Sequence, residues 1–505
     1  MAHVTLCMIV KDEEAMLADC LASVRGLVDD MVVVDTGSRD ATPHIARKAG
    51  ARVVSFGWRD DFAAARNEAL RHVRAVKNGR AGDWVLQLDA DERLAPVAKN
   101  GLRAMLDHAS FDCGMLRLHD ATALDAKTDD VLAGRERQGE VQLVARVFRR
   151  TPDLAYVDAI HENVMPWLRR HGMRVGGLEL DIVHLGAVKE VVGAKAKIER
   201  NVRLLKARLE RAPEDVIAYG YLANEYLRAG ALDAALEVTE RGWAHVGRAA
   251  AEQSSIHRLA LARAYLMIAH RRFETTRESV RVAESVEGKN PDFAFLRAFS
   301  WEAEARHELD PTLRARALES ARAGYAEAMT FAGRHFAQAF VCGSSSWMGH
   351  TRLGTVHLLL GEPEKAAAAF DVAIAMRPAE REARLGRAEA TLALGDAAGA
   401  LKAIQELLDG SPDAWTLAAL AVDALGLPKD RELFAARARA LEPKGFLAPH
   451  RRDRLRTLGS GAAAPASSDF RAGAGRRSFP SKAIREGEAE RETGREPGLE
   501  TGPSG

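Results

Sequence analysis

The chain has 505 residues, 47% hydrophobic and 28% charged, with a formal net charge of +1. That length is too great for one hydrophobic core, so two or three domains are expected, and the near-neutral balance excludes an overall field drawing the chain to nucleic acid or anionic lipid. Cys7, Cys20, Cys113 and Cys342 show no CxxC spacing, which argues against structural zinc and suits a reducing cytoplasm. In chain order, strands are expected at His3–Val10, Met31–Asp35, Arg52–Phe56 and Trp84–Asp89, with helices between them at Glu14–Val24, Thr42–Ala49 and Phe62–Val73. Such alternation predicts an α/β domain on a mostly parallel, doubly wound sheet. Further strand-like runs lie at Cys113–Leu118, Val141–Arg149 and Leu178–His184, and the polar stretch Asp120–Glu140 reads as a long functional loop.

After about Gly186 the strand signal fades and Ala, Leu, Arg and Glu follow a helical period to about Leu447. Gly361, Ala366, Phe370 and Pro378 recur 34 residues later as Gly395, Ala400, Ile404 and Pro412, and Pro213, Gly230 and Ala235 share the spacing. Small residues let helices approach, Gly permits the tight turn and Pro ends the second helix, so the period reads as an all-α solenoid of tetratricopeptide type. The stretch from Ala251 to Met348 is less regular and reads as degenerate units. The expected domains are 1–187, a catalytic α/β domain; 188–450, a helical linker and repeats; and 451–505, a tail too poor in apolar residues to offset its ordering entropy. No run reaches the roughly 18 uncharged apolar residues of a membrane span. The apolar start lacks a basic leader and a cleavage site, so a cytoplasmic chain is expected, with peripheral contact to the inner membrane left open.

Ligands of open α/β sheets bind at the carboxyl ends of the strands, and four segments place polar groups there. In WVLQLDADE a buried strand runs into Asp89 and Asp91, which share a face two residues apart and can converge on a hard cation such as Mg²⁺ or Mn²⁺. In MVVVDTGSRDAT the strand ends at Asp35, a hydrogen-bond acceptor for ribose or base, and Ser38, Asp40 or Thr42 can cap the next helix. In FGWRDDFAAARN a helix carries Arg66 and Asn67 in its first turns, a natural pyrophosphate site. The fourth is split between His161-Glu162 and His184, the latter notable because a metal at the acidic pair needs a third ligand. Each segment alone has a plain structural reading; Glu162, for instance, has Arg146 and Arg149 as possible ion-pair partners.

The ordered set CMIVKDEE, VVVDTGSRDAT, FGWRDDFAAARNEAL, WVLQLDADERL, ARVFRR and AIHENV resembles family 2 glycosyltransferases of the GT-A fold, in a bacterial branch fused to tetratricopeptide repeats. The resemblance implies inverting, single-displacement transfer from a nucleotide sugar to an acceptor hydroxyl or thiol on a peptide or protein, a lipid-linked glycan or an envelope saccharide. Asp35, with Asp12 or Glu13, would contact the nucleoside; Asp89 and Asp91 would handle ribose, metal and diphosphate, with His184 completing the metal site. Arg66, Asn67 and Arg146 would contact phosphates, and Glu162 would be the base, with Asp158 next in line. The repeats would bind the acceptor or a partner. Thr36 departs from the pattern, standing where many members carry a second Asp. The competing readings are a sugar nucleotidyltransferase, which would want a Gly-rich basic loop where KDEE stands, and a catalytically inactive scaffold.

Overall fold

The computed structural model describes residues 2–73, 83–98, 101–138, 141–186, 194–251, 255–334, 343–408, 410–442 and 447–458. Eight strands form one sheet: β1 (His3–Val10), β2 (Asp30–Asp35), β3 (Arg52–Ser55), β4 (Asp83–Gln87), β5 (Glu92–Leu94), β6 (Cys113–Asp120), β7 (Gln142–Arg149) and β8 (Val175–His184). Their order is β3-β2-β1-β4-β7-β6-β8-β5. Strands β1 to β4 pair in parallel, as do β6 and β8. The remaining pairings, β4 with β7, β6 with β7 and β5 with β8, are antiparallel. The sheet is therefore mixed: a parallel half continues into a partly antiparallel one.

Alternation along the strands separates two cores. On β1, Val4, Leu6, Met8 and Val10 face one side with Val33 of β2, beneath Leu17, Cys20 and Leu21 of the helix Leu17–Ser23. Cys7 with Val32 and Val34 faces the other, against Ala63 and Ala69 of the helix Phe62–Arg71 and Trp167 and Leu168 of the helix Met165–His171. Cys7, Cys20 and Cys113 are free, buried thiols, and burial pushes those of Cys7 and Cys113 up to about 12. The stretch expected as a loop, Asp120–Glu140, holds the short helix Thr128–Leu132. Its Val131 packs on Ala121, Met16, Val183 and Leu185, and Ala121 pairs with Arg137.

Among the described residues every element from Ala194 onward is helical. A leading helix, Ala194–Arg211, is followed by antiparallel pairs beginning at Val216, His257, Pro291, Trp347, Arg381 and Pro412. The pair Trp347–Leu359 and Pro363–Met376 recurs at the expected 34-residue interval as Arg381–Ala393 and the helix starting at Ala397. Five of the turns share one hydrogen-bond signature: Ala231 N donates to Tyr226 O, Arg272 to Met267, Glu362 to His357, Asp396 to Thr391 and Leu427 to Val422. That bond, six residues back to one, is the Schellman C-cap, which requires a left-handed residue just before the donor. Gly230, Gly361, Gly395 and Gly426 supply it, whereas Arg271 (φ 57°) does so without being a glycine. This explains why the sequence between Ala251 and Met348 looked irregular: it contains the pair His257–Ala269 and Phe273–Glu287 with the glycine signal missing. The helical part also runs past the boundary expected at 450, since the helix Pro449–Thr457 buries Arg451 against Glu389, Glu382 and Asp413. The rest of the expected tail, from residue 459, lies outside the described residues. Among the described residues no helix is long and apolar enough to cross a membrane.

Candidate active site

The site residues gather at the carboxyl ends of β1, β2 and β4 and along β7 and β8. Two loops are laced together at the first of these ends. Asp12 N donates to Ser38 Oγ (3.0 Å), Glu13 N to Thr42 Oγ1 (2.7 Å) and Glu14 N to Asp40 Oδ2 (3.1 Å). In return Asp12 Oδ1 accepts from Arg39 N (2.7 Å) and Glu14 Oε2 from Ala41 N (3.0 Å). The polar side chains expected to cap the following helix thus bind the neighbouring loop instead, and only Asp40 also reaches forward, to Thr42 N. Asp35, at the end of β2, is buried and accepts from Ser38 N (3.1 Å). Thr36 turns back onto Val10 O (3.0 Å).

Beyond β4 lies a chain of buried charge. Arg66 is buried; its Nε donates to Glu162 Oε1 (2.5 Å) and its Nη2 to Asp89 Oδ1 (2.9 Å). Arg146 contacts Asp89 Oδ2 (3.3 Å) and pairs with Glu92, while its buried Nε has no partner. Gln87 lies among them: with its oxygen turned toward Arg66 Nη1 (2.8 Å) and Arg146 Nη1 (2.9 Å), its amide nitrogen donates to the Tyr156 hydroxyl, an orientation chosen by hydrogen bonding. Burial by itself would raise the Asp89 carboxyl, but Arg66 and Arg146 outweigh it and hold that group well below the usual carboxylate range. Burial dominates at Glu92, which is raised. Asn67, expected at a phosphate, is spent elsewhere: Nδ2 donates to Tyr156 O (2.9 Å) and Oδ1 accepts from Tyr156 N (2.8 Å). The N-terminus of its helix is likewise occupied by its own cap, Asp61 Oδ1 accepting from Ala64 N (2.8 Å).

Asp91 and His184 meet because β5 pairs with β8. The register sets Glu92 opposite His184, and Leu185 N donates to Asp91 O (2.9 Å). His184 Nε2 stands 3.5 Å from Asp91 Oδ2, and its Nδ1 is bonded to Asp120 Oδ1 (2.6 Å). Asp120 is held in turn by Gln142 (3.0 Å). Burial opposes a charged imidazole, but the hydrogen bonds to Asp120 and Asp91 overcome it and raise the pKa to about 10. Beside this pair, Gly186 carries no Cβ; one there would collide with both Asp91 Oδ2 and His184 Nε2. Among the described residues no three His, Cys, Asp or Glu side chains converge as metal ligands. The expected set of Asp89, Asp91 and His184 therefore reduces to two, because both Asp89 oxygens face arginines.

Glu162 sits on a narrow turn closed by the bridge between Val157 and Asn163. One of its oxygens is taken by Arg66, 96 positions away in sequence, not by Arg146 or Arg149. Arg149 instead pairs with Asp112 (2.8 Å). Asp158 is engaged by Asn163 (2.8 Å) and Arg208 (3.0 Å). Sequence reasoning missed Gln87, Glu92, Asp120, Tyr156 and Gly186. The one visible signal was a polar Gln inside the otherwise apolar run WVLQL.

A mixed sheet with two cores and polar groups at its strand ends defines an α/β domain with a candidate ligand site at that edge. Residues 5–126 match the model of glycosyl transferase family 2, so this part of the chain is a domain of that family. A TPR repeat-containing protein of Synechococcus elongatus is 35% identical over 48% of this chain and 57% of its own length. An uncharacterized glycosyltransferase of Rickettsia typhi is 35% identical over 19% of this chain and 30% of its own. The matched parts of both relatives thus fall short of two thirds of their lengths. A tetratricopeptide repeat protein from Parabacteroides merdae superposes on 52% of this chain with a TM-score of 0.39 and 14% identity.

Proposed function

We propose that the chain transfers a sugar, with inversion, from a nucleotide-diphosphate sugar to an acceptor hydroxyl or thiol, with Mg²⁺ or Mn²⁺ held at Asp91 and His184. The observation that carries this reading is the approach of Asp91 Oδ2 and His184 Nε2 to 3.5 Å, closed against Gly186, where a side chain would collide with both. Asp120 takes the other imidazole nitrogen, an arrangement that fixes ring orientation in metal sites. Two protein ligands leave coordination positions open for diphosphate oxygens. When bound, such a cation stabilises the charge that develops on the leaving diphosphate. Arg66 and Arg146, oriented by Asp89, Gln87 and Glu92, direct positive charge to the same strand ends. Asp12, Glu13 and Asp35 line the loops where the nucleoside would lie. Glu162, with one oxygen on Arg66, would take the acceptor proton on the opposite side from the leaving group. The acceptor class stays with those named above, the repeats serving as its docking surface or a partner's.

The test is a panel of nucleotide sugars with purified full chain, scored by nucleotide release with and without divalent cation. Release should depend on Mg²⁺ or Mn²⁺ and vanish in both Asp91→Asn and Gly186→Ala, with melting little changed. Full release in excess EDTA would overturn the metal assignment.

A further inference from the structure

Besides Asp12 (φ 55°), whose loop is laced to the one after β2, three residues of the sheet domain hold a left-handed backbone without being glycine: Asp60 (φ 58°), Asp158 (φ 74°) and His161 (φ 53°). That conformation costs an L-residue roughly 1–2 kcal/mol, and it persists only where the surroundings over-determine it. Here the surroundings come from the repeats, for each of the three is held by a side chain between Ala194 and Arg228. Arg203 Nη2 pairs with Asp60 Oδ2 at 3.0 Å. Arg208 Nη1 pairs with Asp158 Oδ2 at 3.0 Å and reaches Ile160 O at 3.4 Å. The His161 ring lies on Tyr221, centroids 3.4 Å apart and planes within 8°.

The contacts reach further on both sides. Ile160 is only 3% exposed and belongs to the core of the repeats, packed with residues such as Leu205 and Leu222. Arg258, on the helix beginning at His257, covers the Tyr221 ring at 4.4 Å. Arg200 lies over Phe62 at 5.2 Å, and Phe62 N donates to Ala159 O (2.9 Å), joining the two site loops. Burial, with Arg258, Arg208 and Lys197, lowers His161 to about 3, so the stacked ring is neutral. The residue after His161 is Glu162.

We propose that Arg208 and Tyr221 are positioning residues of the transfer site: through Asp158, Ile160 and His161 they fix the turn that presents Glu162 to Arg66. The first repeat helices are then a working part of the catalytic domain, not a separable appendage. The proposal rests on Glu162 as base for its catalytic consequence, but the anchoring of the turn can be read without activity.

The experiment uses the full chain and its Tyr221→Leu, Tyr221→Phe and Arg208→Met variants. Hydrogen exchange of amides 157–163 is followed alongside donor affinity, melting and nucleotide release with the best donor of the panel. Tyr221→Leu and Arg208→Met should speed exchange in that segment about 10-fold or more and lower kcat about 10-fold, since small misplacements of a reacting group are costly. Donor affinity should stay within about twofold, because the strand-end arginines are untouched. Tyr221→Phe keeps the stacked ring and should behave as the parent. Unchanged exchange in both disruptive variants would overturn the proposal. Should either variant fail to fold, Asp158→Asn weakens the same contact from the sheet side and is judged by the same exchange. Glu162→Gln, run in parallel, separates the two readings. Normal turnover in it removes the base role while faster exchange in Tyr221→Leu still establishes the anchoring. An inactive Glu162→Gln with unaltered exchange in Tyr221→Leu removes the anchoring alone.

Discussion

Buried charge is handled in opposite ways by the repeats and by the strand ends of the sheet. In the repeats, the Glu302 side chain is wholly buried, and it accepts from Arg352 Nε (3.0 Å), from Arg306 and from the Tyr325 hydroxyl (2.6 Å). Every partner lies on a neighbouring helix or the same one, and the network joins adjacent repeats. At the strand ends, Arg66 and Arg146 share Asp89, yet the Arg146 Nε is left without a partner, and Asp91 and His184 close against a glycine that carries no side chain. Both regions contain arginine–carboxylate pairs that are largely shielded from solvent. Ion pairing therefore does not by itself distinguish a site from a staple.

The sharpest way to break that comparison is Glu302→Gln. Removing one member of a buried pair strands the other, at a cost of about 3–5 kcal/mol. The variant should melt far below the parent by helical circular dichroism. The same residue makes a pH prediction. Burial alone would raise its pKa, but Arg352 and Arg306 hold it down to about 2, from an ordinary 4.5. A depressed carboxyl contributes stability that is present above the ordinary value and is lost as pH falls through the folded one. The repeats of the parent should therefore weaken between pH 4.5 and 2, and Glu302→Gln should lack that step. An equal acid response in both would place the stabilising charge elsewhere.

Glu162→Gln tests the other side. The amide keeps the shape of the side chain but cannot take a proton, so transfer should fall by about 10²-fold or more with donor affinity retained. A variant that instead melts early and binds donor poorly would make Glu162 a staple of the Glu302 kind. The smallest effect is expected at Arg271, which holds the left-handed turn position that glycine fills in four other repeats. Arg271→Gly should stabilise the repeats by about 0.5–1 kcal/mol, the relief of strain less glycine's extra entropy. A lower melting temperature would mean that the arginine side chain contributes more than the strain costs.

The parallel half of the sheet was legible because its strands are apolar runs that alternate with helical patterns, and β1 spans the expected residues, His3–Val10. Strand β5 was not, since Glu92–Leu94 is three residues long, carries two charges and exists only through its pairing with β8. That missed strand is also what sets His184 beside Asp91. In the repeats, the glycine turns could be counted directly, whereas the turn at Arg271 has no composition signal. Of the site, Asp89, Asp91, Glu162 and His184 were visible as residues, but their partners were not. Arg66 and Glu162 are 96 positions apart, and nothing in either segment names the other. Asn67, expected at a phosphate, holds the Tyr156 backbone, and His161, given no role beforehand, stacks on Tyr221: a polar residue beside a motif can serve the backbone or a neighbouring domain, and only tertiary contacts decide which.

The missing side chain at Gly186 has a consequence for reading related sequences. On the proposed reading, one methyl group there would press on Asp91 and His184 and silence such a domain, with every acid, arginine and histidine of the site still in place. A survey that counts retained polar residues would score such a copy as an enzyme. In a lineage where the repeats had become the part worth keeping, the earliest mark of lost transfer would be sought at this glycine, where any side chain would collide with Asp91 and His184.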